Sequence, residues 1–174
     1  MKRLLLLRHA KSGWDDLTLE DWQRPLAPRG RQAAPRMGRE IAQRGWRPQR
    51  VLVSPARRAQ ETWNLVAPEL PDRPEVEETP QLYGASQDAV LRTLRHLPED
   101  HSSVLLIGHN PQLESLALSL AGRGSDVQAV AQIQAKFPTA ALAVLEFDAP
   151  WRRLALRGAR LTLCLKVKAL DRDA

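Results

Sequence analysis

Short apolar runs with little polar alternation are spaced along the chain, separated by longer segments whose apolar residues recur every three or four positions. The runs Leu4 to Leu7, Val51 to Val53, Val104 to Ile107 and Ala140 to Phe147 read as strands buried on both faces. Between them, Ala33, Met37 and Ile41 repeat at a spacing of four, predicting a helix that begins near Pro28 and stops by Gly45. Pro35 falls inside that helix and predicts a kink or a late start. A second helix is expected to open with Ser54 as cap and Pro55 in its first turn, and to close before Pro68. A third starts at Ser86, with Val90, Leu94 and Leu97 on one face. A fourth opens with Asn110-Pro111 and buries Leu113, Leu116, Ala117 and Leu120.

Strands alternating with helices predict an α/β fold: a three-layer α/β/α sandwich around a mostly parallel central sheet. The C-terminal third differs. Ala140 to Phe147 and the alternating stretch Leu161 to Leu165 read as two strands joined through Asp148-Ala149-Pro150, adding antiparallel strands near one sheet edge. Pro68 to Pro80, rich in Pro and Glu, reads as a surface loop. With 174 residues and no repeat or low-complexity segment, a single domain spanning 1–174 is expected.

Composition narrows the function classes. No apolar run is long enough to span a membrane, and Met1-Lys2-Arg3 followed by four leucines is too short for a secretion signal. The single cysteine, Cys164, excludes an internal disulfide and a thiolate metal cage, points to the cytoplasm, and reads as a buried structural thiol. The net charge of +6 admits nucleic acid, acidic protein or phosphorylated ligands as partners. The arginines are scattered, however, and aromatic stacking residues are few, so nucleic-acid binding is not expected.

Ligands of open parallel sheets bind beyond the carboxyl ends of the strands. The first run is followed by Arg8-His9-Ala10-Lys11-Ser12, the second by Ser54-Pro55-Ala56-Arg57-Arg58-Ala59, and the third by Gly108-His109-Asn110-Pro111. Two histidines and several arginines thus fall where such a sheet places its site. Two of these segments also open helices, whose free N–H groups favour anions. An arginine in a helical first turn is electrostatically misplaced unless an anion sits nearby. The chemistry indicated is phosphate binding.

These segments together resemble the histidine phosphatase superfamily, also called phosphoglycerate mutase-like. Its pattern is Arg-His-Gly near the N-terminus, Ser-x-x-x-Arg-Ala mid-chain and a later Gly-His; Arg24-Pro25-Leu26 followed by Gly30 also matches. The SixA-type phosphohistidine phosphatases, short and often reading Arg-His-Ala-Lys-Ser, are the most similar subgroup. The resemblance implies that His9 is the nucleophile and becomes phosphorylated. It further implies that Arg8, Arg58 and a cationic His109 bind the phosphoryl oxygens, with Ser12 as a further phosphate contact. Arg58, not Arg57, stands four after the serine and just before the alanine. Trp14 reads as packing, and Asp15 replaces a family asparagine.

The resemblance implies no metal and no cofactor. The general acid of the mutase-type enzymes, a Glu a few residues before Tyr-Gly, is replaced by Pro80 in the register of Tyr83-Gly84; Glu77 and Glu78 lie near it. A missing acid suits a phosphohistidine, whose imidazole leaves readily, and argues against a mutase. The expected substrate is therefore protein phosphohistidine, with a small-molecule or aryl phosphate as alternative. A non-catalytic phospho-ligand binding module is the remaining possibility.

Overall fold

The computed structural model describes residues 1–171, so the last three residues of the expected domain lie outside it. Six strands form one sheet in the order β3-β2-β4-β1-β5-β6. They are β1 (Lys2–Arg8), β2 (Arg50–Val53), β3 (Glu75–Glu78), β4 (Ser103–Gly108), β5 (Leu142–Phe147) and β6 (Arg160–Leu165). The first four run parallel; β5 pairs antiparallel with β1, and β6 antiparallel with β5.

The leucine run of β1 explains its central place. Leu4 and Leu6 belong to one hydrophobic cluster and Leu5 and Leu7 to the other, all fully buried. Successive strand side chains point to opposite faces, so only a strand covered on both sides can hold four consecutive leucines. One face is covered by α1 (Pro28–Gln43) and α2 (Arg57–Val66), through Ala34, Met37, Ile41, Trp63 and Val66. The other is covered by α3 (Gln87–Arg95), α4 (Gln112–Leu120) and α5 (Val127–Ala135), through Val90, Leu94, Leu116 and Ile133. The three-layer α/β/α architecture is as expected. A short α6 (Val167–Leu170) follows β6.

Several expectations need correction. Helix α1 starts at Pro28, not late, and runs through Pro35. Its buried stripe of Ala34, Met37 and Ile41 outweighs the single backbone hydrogen bond that proline removes. Helix α2 starts at Arg57 with Ala56 as its N-cap, so Ser54 is not the cap; its hydroxyl is engaged elsewhere, with His109. The stretch read as a surface loop contains β3, whose four residues are all exposed. An edge strand with no buried face carries no apolar alternation; its ladder with β2 and the ion pairs of Arg50 with Glu75 and Glu77 hold it. The β5–β6 connection is longer than Asp148-Ala149-Pro150 and includes a 3-10 turn at Trp151–Arg153. Cys164 is buried on β6 as expected, and burial raises its thiol pKa to about 11.

Candidate active site

Strand register brings the three motif segments together. Arg8 of β1 lies opposite Gly108 of β4, and Val53 of β2 opposite Ile107. The chain then leaves all three strands in step: His9 N donates to the Gly108 carbonyl at 3.0 Å, and Ser54 N to the Ile107 carbonyl at 3.0 Å. His9, His109 and the turn leading to Arg58 therefore meet at one carboxyl edge. The two imidazole centroids are 5.2 Å apart.

The His9 ring is oriented by its own neighbour. Nδ1 lies 2.7 Å from the Ala10 carbonyl oxygen, which accepts a hydrogen bond, so that nitrogen carries the proton. The lone pair is thereby assigned to Nε2. Ala10 is in turn fixed: its N–H donates to Thr62 Oγ1 at 3.0 Å, and that hydroxyl donates to the Arg58 carbonyl at 2.7 Å. Helix α2 thus holds both the His9 loop and Arg58. The first turn of α1 supports the loop from below. Ala27 N donates to the Lys11 carbonyl at 2.8 Å, and a Cβ on Gly30 would stand 2.1 Å from that same oxygen.

Burial lowers the His9 pKa to about 3, aided by His109, Arg58 and Arg8 and opposed by the Ala10 bond. His109 is lowered to about 4 by burial, then by Arg58. His9 is therefore neutral and its lone pair free at physiological pH. Burial disfavours the His109 cation as well, with only the Asp21 charge acting the other way. Its Nε2 lies 2.7 Å from Ser54 Oγ, which also accepts from Ala56 N–H at 3.2 Å. When the Ser54 hydroxyl donates to Nε2, the His109 proton sits on Nδ1.

Arg58 is 5% exposed, whereas Arg57 is exposed and pairs with Glu61 at 3.4 Å, so the register expected from the motif holds. Arg8 donates from its guanidinium to the Phe137 carbonyl at 3.0 Å. Arg8 Nε, Arg58 Nε and His109 Nδ1 are all buried without a partner. Buried polar atoms left unpaired are costly, and an oxyanion bound between these residues would give these three nitrogens acceptors. Ser12 is buried but accepts from Arg24 at 2.9 Å, so it joins the site through that arginine.

Three residues escaped the sequence reading as site members. The Asp21 carboxylate accepts from Arg58 at 3.0 Å, from Arg24 at 3.1 Å and from the Tyr83 hydroxyl at 2.7 Å. These bonds and the Arg58 charge outweigh partial burial and lower its pKa to about 2. Arg24 is 8% exposed, and Tyr83 meets His109 edge-on with centroids 5.5 Å apart. The only available hint was Asp21 standing three residues before Arg24, which no periodicity underlines. Trp14 is not packed in the core: it is 65% exposed, with the Arg24 guanidinium 3.5 Å above its ring. Asp15 is exposed. Glu77 is occupied by Arg50, and Pro80 opens the turn that carries Tyr83.

Known proteins are similar to this chain in sequence and fold. A family model described as the histidine phosphatase superfamily (branch 1) matches residues 4–84. An uncharacterized protein of Mycobacterium leprae is 35% identical over 159 residues, 89% of this chain and 96% of its own. A solved structure assigned as the phosphohistidine phosphatase SixA of Nakamurella multipartitia has 30% identity and a TM-score of 0.81, covering 95% of both chains. The protein histidine phosphatase SixA solved with tungstate has 25% identity and a TM-score of 0.80, covering 97% of this chain and 99% of its own.

Proposed function

This chain belongs to the histidine phosphatase superfamily, in its SixA-type subgroup, and from that premise we propose that it removes phosphate from protein phosphohistidine through a phosphorylated His9. The observation that carries the reading is a neutral imidazole with its lone pair on Nε2, set beside three buried and unpaired nitrogens on Arg8, Arg58 and His109. Tungstate, found with one SixA relative, is a tetrahedral oxyanion like phosphate.

In the first step the Nε2 lone pair attacks phosphorus and forms an N–P bond. The substrate P–N bond breaks, and its electron pair returns to the departing imidazole, which takes a proton from solvent. In the second step water attacks phosphorus, the Nε2–P bond breaks, and phosphate leaves with the water proton lost to solvent. Arg8, Arg58 and the His109 Nδ1–H donate to the phosphoryl oxygens in both steps, with Ser12 as a further contact. Such charge-assisted hydrogen bonds contribute on the order of 1.5–3 kcal/mol each. A bound phosphate dianion would also draw a second proton onto His109, restoring the cation that burial suppresses.

The carboxylate that the fold sets beside Arg58 is not a free acid. Asp21, with a pKa of about 2 and held by Arg58, Arg24 and Tyr83, is ionised at neutral pH. That favours substrates whose leaving group needs little help, as an imidazole does and a sugar alkoxide does not. The steps use protein groups alone, and no group of three or more His, Cys, Asp or Glu among the described residues could hold a metal ion. No described helix is long and apolar enough to cross a membrane. A cytoplasmic protein carrying phosphohistidine is the partner proposed.

The test is a substrate comparison in the presence of a chelator. Phosphohistidine peptides are expected to be hydrolysed with a kcat/KM far above that of sugar phosphates, and His9→Ala to abolish it. Preference for sugar phosphates or nucleotides would overturn the substrate class. Loss of activity on chelation would overturn the metal-free mechanism.

A further inference from the structure

Beside the phosphate site lies a second feature that the chemistry does not use. A cavity of about 520 Å³ is lined by Lys11, Arg29, Lys136, Lys166 and Lys168, with Thr139 between them. These five cations come from four separate places in the chain: the loop after His9, the first turn of α1, the segment after α5, and the chain leaving β6. The scattered arginines and lysines of the sequence are here drawn to one place by the fold. Among the described residues none of the five forms an ion pair; Lys166 donates to the Gln132 carbonyl at 3.1 Å. The adjoining recess is bordered by Arg36, which is already paired with Asp171.

The groove is joined to the catalytic end of the sheet. Lys11 is two residues from His9. The segment bearing Lys136 and Thr139 supplies the Phe137 carbonyl that receives Arg8, and Ala140 N that donates to the His9 carbonyl at 3.0 Å. The groove wall and the His9 loop are thus tied to each other by hydrogen bonds, although no catalytic side chain lines the groove itself. Five like charges around one recess repel each other, and with the nearby Asp171 already paired to Arg36 they favour negative charge brought from outside. Arg29 adds to this, because it sits at the positive end of the α1 dipole without a compensating acidic residue in that turn.

We propose that this groove docks the acidic flank of the phosphorylated protein, so that the substrate is a phosphohistidine set among Asp and Glu side chains. The proposal rests on the phosphohistidine reading above. Carboxylates on a protein surface fit better than a second phosphate: four of the five cations are solvent-exposed and flexible, not a rigid cluster of arginines and backbone N–H groups.

Binding and turnover separate the two claims. A fluorescent Glu-rich peptide without phosphate should bind the wild-type protein, weakening as salt is added. It should bind a Lys136→Glu/Lys168→Glu variant about tenfold or more weakly, since two rim charges are reversed. Phosphohistidine peptides with Glu flanks should show a correspondingly lower KM than those with Gln flanks, and the variant should lose that difference. Turnover of p-nitrophenyl phosphate, which has no flank, should be the same in both proteins. Equal KM for both peptides, or a preference that survives the charge reversal, would overturn the docking proposal while leaving the phosphatase reading intact. A wild-type protein that binds the Glu-rich peptide but hydrolyses nothing would instead sink the phosphatase reading alone. Binding of a single-stranded oligonucleotide in place of the peptide would overturn the choice of partner.

Discussion

Replacing Thr62 by Val tests how the nucleophile is held. Thr62 is fully buried, and among the described residues its hydroxyl is the one partner of the Ala10 N–H. Valine keeps the shape and close to the same helix propensity, so no cavity forms and the helix itself is not penalised. The bond to the Arg58 carbonyl costs little to lose, because that oxygen sits inside a helix and accepts a backbone donor as well. What remains is one buried N–H stripped of its acceptor, at about 1–3 kcal/mol. For a domain of this size each kcal/mol lowers Tm by about 2–4 °C, so a fall of about 2–12 °C is expected. The effect on activity should be larger than stability alone implies. Ala10 follows His9 directly, and its carbonyl fixes which ring nitrogen carries the proton. A shift of about 1 Å in such a group can cost up to roughly a hundredfold in rate. Thermal unfolding and kcat/KM on p-nitrophenyl phosphate measure the two effects, and Thr62→Ser, which keeps the hydroxyl, should restore most of the rate. A Thr62→Val protein with wild-type Tm and wild-type kcat/KM would refute the reasoning.

Gly30→Ala should damage activity without touching a site side chain, because its Cβ would stand 2.1 Å from the Lys11 carbonyl and must push the His9 loop aside; steady-state kinetics should show a lowered kcat. Arg58→Lys keeps the charge but not the fork that reaches Asp21 and, in the proposed mechanism, the phosphate. It should lower kcat/KM on the order of a hundredfold, the scale of losing one transition-state donor; an unchanged value would remove Arg58 from the mechanism. Stability should fall with acid: both histidines have folded pKa values below 6.5, at about 3 and about 4, so between those limits the unfolded chain binds more protons. The histidine contribution is present above pH 6.5 and is lost as pH falls, with a slope of up to about 2.7 kcal/mol per pH unit. Urea unfolding should show a shallower slope for His9→Gln/His109→Gln than for the wild-type protein; identical slopes would contradict the buried neutral assignment.

The elements legible in the sequence were those whose burial leaves a pattern. Four consecutive leucines bounded by polar residues read as a doubly covered strand, and Ser86 marked the start of α3 correctly. The elements that escaped lack that contrast. Strand β3 is Glu75-Val76-Glu77-Glu78, exposed throughout, and is defined by its partner's hydrogen bonds, not by its own residues. Helix α5 buries only Ala129 and Ile133, and its capping Asp126 is one polar residue in a polar neighbourhood. The same holds for the site. Arg8, His9 and His109 stood at strand ends, where position made them candidates, and the family resemblance picked Arg58 over Arg57 in the first turn of α2. Asp21 lies in a turn with no periodicity, and its three bonds depend on tertiary packing. Ser54 was misread because Ser-Pro before a helix is also a capping pattern; the hydroxyl faces His109 because α2 starts two residues later than that pattern suggests.

A rapid quench after mixing the protein with substrate labelled on phosphorus tests the central claim most directly. Label should appear on the protein within one turnover, be stable to base and labile to acid, map to Nε2 of His9, and vanish in His9→Ala. Turnover with no labelled protein at any time, or label that persists in His9→Ala, would contradict it.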